Sequence, residues 1–459
     1  MVVAALLLAG LAGALALTAL ARRSGRRTGP AAAAGAAAGA GGGALFQVPL
    51  GFCTFEAGRP AADVGFGLFL MAVGVLLGLR LAWTLLDPAG AAERAKRGDS
   101  TTHGVFRGHP FLPWVLLAPT LAVLIVFLYW PALRTARLST MNVRLGAPRT
   151  ADRCVTNFTE LIGLNAPQLA GVALLATAVA FTLAVALRRR ARAAVPGAGV
   201  TLEKYAGWAS TAGVFGALWL LYLLWTPGFQ RVYVVTLIIS AGTVVLGLSI
   251  SLAVAYLAYQ PIRGASLYRT LLVWPYAISP PIAGLIFFVI FDPNAGIVEH
   301  WLGQLFGISL PNYRQNALLA QIVVILASVW KTLGYNLLFY IAGLQTVPGD
   351  QLEAAELDGA NAWQRFRHVV VPALSPITFF LVVTNLTYAF FDTFGTIDYL
   401  TRGGPAGETS VLMYEIYLTA IPGRDLGRGA AQSMILFAGV IALTVWQFRS
   451  TGRRVSYGR

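Results

Sequence analysis

Lys331 is where a binding chemistry can first be argued. It stands in the middle of an apolar run, 317–346, with no carboxylate one turn away to neutralise it. An ammonium at that depth costs at least ~2.5–3.5 kcal/mol on insertion scales. It must therefore meet a carboxylate from another helix, backbone carbonyls, water in a cavity or an anionic ligand, and an ammonium is a common phosphate partner. Tyr335 lies one helical turn on, with Asn336 beside it. In a second apolar run, 371–391, Thr384, Tyr388 and the flanking Asp392 recur every four residues and share a stripe, next to Asn385 and Thr387. Polar groups with an aromatic ring suit a hydroxylated ligand. The Asn and Thr residues suit hydrogen bonds between helices equally well, and Asp392 suits the membrane interface. Lys331, Tyr335, Asn336, Asn385, Tyr388 and Asp392 are the expected substrate path.

Other chemistries are excluded by what the chain lacks. Its three lysines are Lys96, Lys204 and Lys331, and none follows a glycine, so no GxxxxGK[ST] phosphate loop exists. His103, His109, His300 and His368 are dispersed and form no metal spacing with Cys53 and Cys154. No cofactor is expected in the chain itself, and no clustered His, Asp or Cys suggests an enzyme. An ion-coupled secondary transporter would need carboxylates deep within its spans, and these are missing.

The elements that position these residues meet at 350–376, DQLEAAELDGANAWQRFRHVVVPALSP, between the two apolar runs. Asp350 follows Val347-Pro348-Gly349 as a helix N-cap, with Glu353 placed to complete a capping box. Gly359 is placed to end that helix in the left-handed conformation. Asn361 can cap a second short helix running towards Pro372. A compact helix–Gly–helix knuckle between two spans suits a protein partner better than a small ligand.

This stretch resembles the EAA loop of ABC-importer permeases. Glu353-Ala354-Ala355 is followed at the family's spacing by Gly359, Val369 and Val371-Pro372, with Val replacing the usual Ile and Leu. The resemblance implies that Glu353, Ala354, Ala355, Asp358, Gly359 and Pro372 couple the chain to an ATPase. Ser328-Val329-Trp330-Lys331, Tyr335-Asn336-Leu337-Leu338-Phe339 and the stretch from Tyr388 to Phe394 look like carbohydrate and sn-glycerol-3-phosphate importer permeases. Gly403-Gly404-Pro405, Tyr414-Glu415-Ile416-Tyr417 and Ala430-Ala431-Gln432-Ser433 add to that likeness. The family implies a type I permease fold and alternating access. It also implies a second permease subunit, two ATP-binding subunits that use the ATP, and an extracytoplasmic substrate-binding protein. The implied cargo is sn-glycerol-3-phosphate or a sugar, with a maltose- or trehalose-type oligosaccharide as the alternative.

The rest of the chain fits an all-α polytopic membrane protein. Of 459 residues, 57% are hydrophobic and 12% charged, and many apolar runs reach the ~20 residues that a spanning helix needs. The net charge of +15 is scattered over connecting loops with no nucleic-acid motif, so the membrane accounts for it. Ten spans are expected, near residues 1–20, 65–83, 111–130, 165–187, 205–225, 234–259, 271–291, 317–346, 371–391 and 430–448. Pro131 closes the third, and Pro275, Pro280 and Pro281 break the seventh. The Ala/Gly-rich segment 30–44 reads as a flexible linker. Residues 1–104 read as an N-terminal extension and 105–459 as the permease domain, with 165–228 an inserted hairpin. Both termini then lie inside. Arg22–Arg27 and the five arginines of 134–165 lie outside, against the positive-inside rule. Cys53 and Cys154 could pair if both face outside.

Overall fold

The computed structural model describes residues 2–23, 28–47, 53–55, 58, 61–86, 112–146, 150–163, 167–193, 198–259, 264–307, 309 and 311–451. The basic segments expected inside at 87–111 and 452–459 lie outside the described residues, as do 24–27 and 260–263. Nearly all of the described chain is helical, with one two-stranded ribbon. Among the described residues seven helices are long and apolar enough to cross a membrane, or nine if each of two sharply bent pairs is one span. A shorter apolar helix, Val172–Leu187, falls in the fourth expected segment, 165–187. Contacts divide the chain into two units, Met1–Glu160 with Thr419–Met434, and Leu161–Leu418 with Ile435–Arg459.

The first unit begins with α1 (Val2–Arg23), α2 (Thr28–Gln47) and α3 (Ala61–Leu86). The expected linker is thus a helix of bilayer length. Alanine favours the helix, and glycine's penalty is outweighed by close packing, because small residues let backbones approach without lipid between them. A Cβ on Gly35 would run into the Gly13 carbonyl, and one on Gly42 into that of Gly74. Gly39 lies against Ala9, and Gly78 against Ala38, so α2 runs antiparallel between α1 and α3. At one end Leu17, Ala21 and Ala31 pack with Ala82 and Trp83. The end of α1 and the start of α2 therefore share a side with the end of α3. The expectation put Arg22–Arg27 on the side opposite the end of α3, whereas the described end of α1 lies on the same side; 24–27 lie outside the described residues. α2 falls outside the helices apolar enough to cross a membrane by composition, although it lies antiparallel between two that are.

At the opposite end Cys53 is disulfide-bonded to Cys154. The pairing left open by the sequence is made, as suits an oxidising outer compartment. Cys154 belongs to a small layer after α4 (Leu112–Leu124) and α5 (Trp130–Leu138). Pro131 does not end that span as expected. A π-helical turn at Ile125–Tyr129 precedes it, and the helix continues to Leu138. In the layer β1 (Met141–Asn142) pairs antiparallel with β2 (Ala151–Asp152). The buried Asn157 donates to the carbonyls of Ser139 and Met141 at 2.9 and 3.0 Å.

The second unit opens with the hairpin α6 (Pro167–Ala193) and α7 (Ala198–Leu224). Backbone bonds Gly163 to Leu224 and Thr226 to Leu161 close its neck. Next come α8 (Pro227–Tyr259), α9 (Ala265–Val273), α10 (Pro280–Ile290), α11 (Ile297–Phe306) and α12 (Ala317–Leu344). The break expected at Pro275, Pro280 and Pro281 is a bend of 105° between 267–277 and 280–290. The knuckle follows as α13 (Gly349–Leu357) and α14 (Ala362–Arg365), then α15 (Ser375–Phe391), α16 (Thr393–Leu400), α17 (Leu412–Ala420) and α18 (Leu426–Thr451). The expected span 371–391 begins instead at Ser375. Residues 362–373 form a separate limb bent by 67° against α15. The unit's core lies where α8, α12, α15 and α16 meet, around Ile239, Val324, Leu337, Leu381 and Ile397.

Candidate functional site

The middle of α12 carries Lys331, 9% exposed. Among the described residues its Nζ makes no hydrogen bond and no ion pair, and it stands 5.8 Å from the centroid of the Tyr276 ring. It faces a cavity of about 20 Å³ lined by Thr243 of α8, by Ser328 and Thr332 of α12, by Asn385 and Tyr388 of α15, and by Asp392, Thr393 and Thr396. That is room for one water, so a cargo must widen the site.

The hydroxyls around it have distinct roles. Ser328 donates to the Val324 carbonyl at 2.8 Å, Thr332 to Ser328 at 2.9 Å and Thr393 to Ala389 at 2.8 Å. Each has used its proton on a helix and presents oxygen lone pairs as acceptors. Among the described residues the buried Thr243 Oγ1 has no partner, so it can donate or accept. Lys331 offers three donors. The arrangement provides donors for an anion and acceptors for hydroxyl groups.

Of the expected path residues, Lys331, Asn385, Tyr388 and Asp392 line this cavity. Tyr335 stands behind it, its ring centroid 5.9 Å from Tyr388 and 5.3 Å from Tyr276. Asn336 is turned away and bonded to Asn385. Thr384 donates to the Leu381 carbonyl of its own helix at 3.1 Å. Sequence reasoning missed Thr243, Ser328, Thr332, Thr393, Thr396 and Tyr276. Ser328 and Thr332 carried a signal, since they are one turn apart and bracket Lys331. Thr243 carried none, because only tertiary packing brings α8 to α12.

The knuckle is built differently from expectation at its start. Pro348 is extended and the helix begins at Gly349, so Asp350 sits inside the first turn and makes no cap. There its carboxylate still favours the positive helix end. The capping box is one helix later: Asn361 accepts from Gln364 N at 2.9 Å, and Gln364 accepts from Asn361 N at 2.8 Å. Gly359 has φ +81°, with its N–H on the Glu356 carbonyl and that of Ala360 on Ala355, a Schellman closure. Glu356 pairs with Arg365 across the turn. Glu353, Ala354, Asp358, Gly359 and Pro372 are exposed, with Ala355 half-buried. Leu357 is 89% and Trp363 65% exposed. Below that apolar tip, Trp363 stacks on Phe366, which meets Tyr256 of α8, and Leu352 and Phe366 pack on the same core as Tyr335. Continuous packing thus runs from the knuckle to the rings beside the cavity.

Residues 246–454, which contain knuckle and most of the cavity, match the family of binding-protein-dependent transport system inner membrane components. The chain is 48% identical over 222 residues to the sn-glycerol-3-phosphate transport system permease protein UgpA of Yersinia pseudotuberculosis, covering 48% of this chain and 75% of that one. It is 43% identical over 228 residues to the UgpA of Rhizobium meliloti, covering 49% and 76%. Its fold is similar to that of a bacterial ABC transporter involved in the import of the acidic polysaccharide alginate, with TM-score 0.51, 17% identity, and coverage of 75% of this chain and 96% of the other. A bacterial alginate ABC transporter in complex with an alginate pentasaccharide-bound periplasmic protein gives TM-score 0.52, again at 17% identity, covering 76% and 96%. The chain belongs to the binding-protein-dependent inner membrane components and is a multi-pass cytoplasmic-membrane permease of an ABC importer.

Proposed function

We propose that this permease passes sn-glycerol-3-phosphate through the Lys331 cavity. The observation that carries the reading is a buried ammonium, without a hydrogen-bond or ion-pair partner among the described residues, facing a space walled by hydroxyls. The phosphate meets Lys331 and Thr243, and the glycerol hydroxyls meet Ser328, Thr332 and Thr393. The names of the similar permeases support this cargo. A binding protein delivers the cargo from outside. The exposed knuckle seats in a groove of an ATP-binding subunit, one of two, and a second permease completes the pore. The helix of α4 and α5, exposed throughout Val115–Leu133, supports such a partner. ATP is used in those partner subunits, and this chain performs no bond chemistry.

Uptake of labelled sn-glycerol-3-phosphate, glycerol and maltose by the reconstituted importer tests the cargo. The phosphate ester is expected to be preferred, and Lys331→Gln to cut its transport at least tenfold while assembly and basal ATPase activity persist. A second reading, an oligosaccharide cargo, draws on the rings of Tyr276, Tyr335 and Tyr388, which could stack on sugars. Preferential uptake of maltose with a mild Lys331→Gln phenotype would favour it.

A further inference from the structure

We propose that Asp392 is an internal competitor for Lys331: its carboxylate neutralises the ammonium in the empty permease, gives way to the cargo's phosphate, and later displaces it. The inference rests on the reading that the cargo is phosphorylated. Among the described residues that line the cavity, Asp392 is the one carboxylate and Lys331 the one cation. Neither is committed elsewhere, since neither side chain makes a hydrogen bond or ion pair with a described residue. A lone ammonium and a lone carboxylate facing one water-sized space attract, because the polarisability around them is low. A phosphate placed beside Lys331 reverses the situation: it and Asp392 repel at short range, so the two anions cannot both hold the ammonium.

Asp392 stands at the junction of two helices, in helical conformation with its N–H on the Tyr388 carbonyl. It is the single residue between α15, which ends at Phe391, and α16, which begins at Thr393. Lys331 by contrast lies within the unbroken 28 residues of α12. α16 is locked to α10 by close backbone approach. A Cβ on Gly284 would collide with the Thr396 carbonyl, and one on Gly395 would press on Pro281. α10 is the outer limb of the segment bent by 105°. A shift of that limb carries α16 with it and swings Asp392 towards or away from a fixed Lys331. The alternating movement of the permease thereby sets which anion owns the ammonium, and cargo release follows from the return of Asp392.

The test uses the complete importer in proteoliposomes, with labelled sn-glycerol-3-phosphate. Asp392→Asn removes the competing charge with little change of shape. It is expected to lower KM about tenfold and kcat by a similar factor, with the cargo retained in the isolated complex. Asp392→Glu is expected to restore turnover. Unchanged KM and kcat in Asp392→Asn would overturn the proposal. If Asp392→Asn does not assemble, the double variant Lys331→Gln/Asp392→Asn decides. Recovered assembly supports mutual neutralisation, and continued failure assigns Asp392 a structural role and overturns the proposal. Loss of the cargo reading has a different signature, namely that Lys331→Gln leaves phosphate and neutral cargoes equally transported. A strong Lys331→Gln effect with a silent Asp392→Asn sinks the competitor alone.

Discussion

Asn336 and Asn385 exchange two side-chain hydrogen bonds, at 3.1 and 2.6 Å, between α12 and α15. They are 0% and 2% exposed. Asn385 also donates to the Leu381 carbonyl at 2.8 Å. This pair is a clamp beneath the cavity, and Asn336 is fully buried in it, outside the cavity lining. Asn336→Ala or Asn385→Ala orphans the other amide and is expected to cost about 1–3 kcal/mol, read as a lowered Tm of the purified permease complex. Asn336→Leu/Asn385→Leu together should cost less than the two single changes summed. Strict additivity would show that the amides do not act as a pair.

The knuckle should uncouple when its turn is broken. Gly359 has a positive φ and open space around it, so Gly359→Val strains only the backbone, at roughly 1–2 kcal/mol. Glu353→Lys reverses an exposed charge of α13. Both variants are expected to reach the membrane but to retain less than about a tenth of the co-purifying ATPase subunit. Normal retention together with normal uptake would refute the coupling role.

Helix α2 makes a topological prediction. In a background lacking Cys53 and Cys154, Val3→Cys should react with an impermeant thiol reagent in intact cells, and Thr28→Cys only after the cells are opened. The reverse pattern would mean that α2 does not cross.

The disulfide Cys53–Cys154 ties the α2–α3 connection to the outer layer of the same unit. A protease site introduced at Thr101-Thr102 should give two fragments that run together without reductant and separate with it. Fragments that separate in both conditions would rule out the bridge.

The loop before α11 should resist mild acid. Asp292 accepts from the N–H groups of Asn294 and Ala295 at 2.9 and 3.2 Å and pairs with Arg314 at 2.7 Å. The backbone donors, helped by Arg314, hold its carboxyl below the ordinary range. A depressed value means that its stabilisation is present above the unfolded value, ~3.9, and is lost as pH falls through the lower folded one. Amide exchange at Gly296, whose N–H bonds the Asp292 carbonyl, should keep the same protection from pH 7 to about 5 once corrected for intrinsic exchange. Asp292→Asn should raise its rate severalfold at pH 7. Loss of protection already at pH 6 would contradict this.

Local features were legible in the residues themselves. The spacing from Glu353 through Gly359 to Pro372 fixed the knuckle, because a glycine able to take φ +81° ends one helix and Asn361 starts the next. Pro275, Pro280 and Pro281 marked the broken span, because proline removes donors wherever it stands. The burial cost of an ammonium singled out Lys331. Tertiary structure decided the rest. Residues 30–44 have a composition that fits a linker as well as a helix, and only the backbone approach of Gly13 to Gly35 and Gly42 to Gly74 selects the helix. Whether Cys53 meets Cys154 depended on which ends of α1, α2 and α3 lie together. The cavity joins Thr243, Lys331, Tyr388 and Thr396 from four helices, and Asn336 bonds across 49 residues of chain. No local period encodes such meetings: spacing along a helix determines which face a side chain occupies, while packing between helices determines what that face meets.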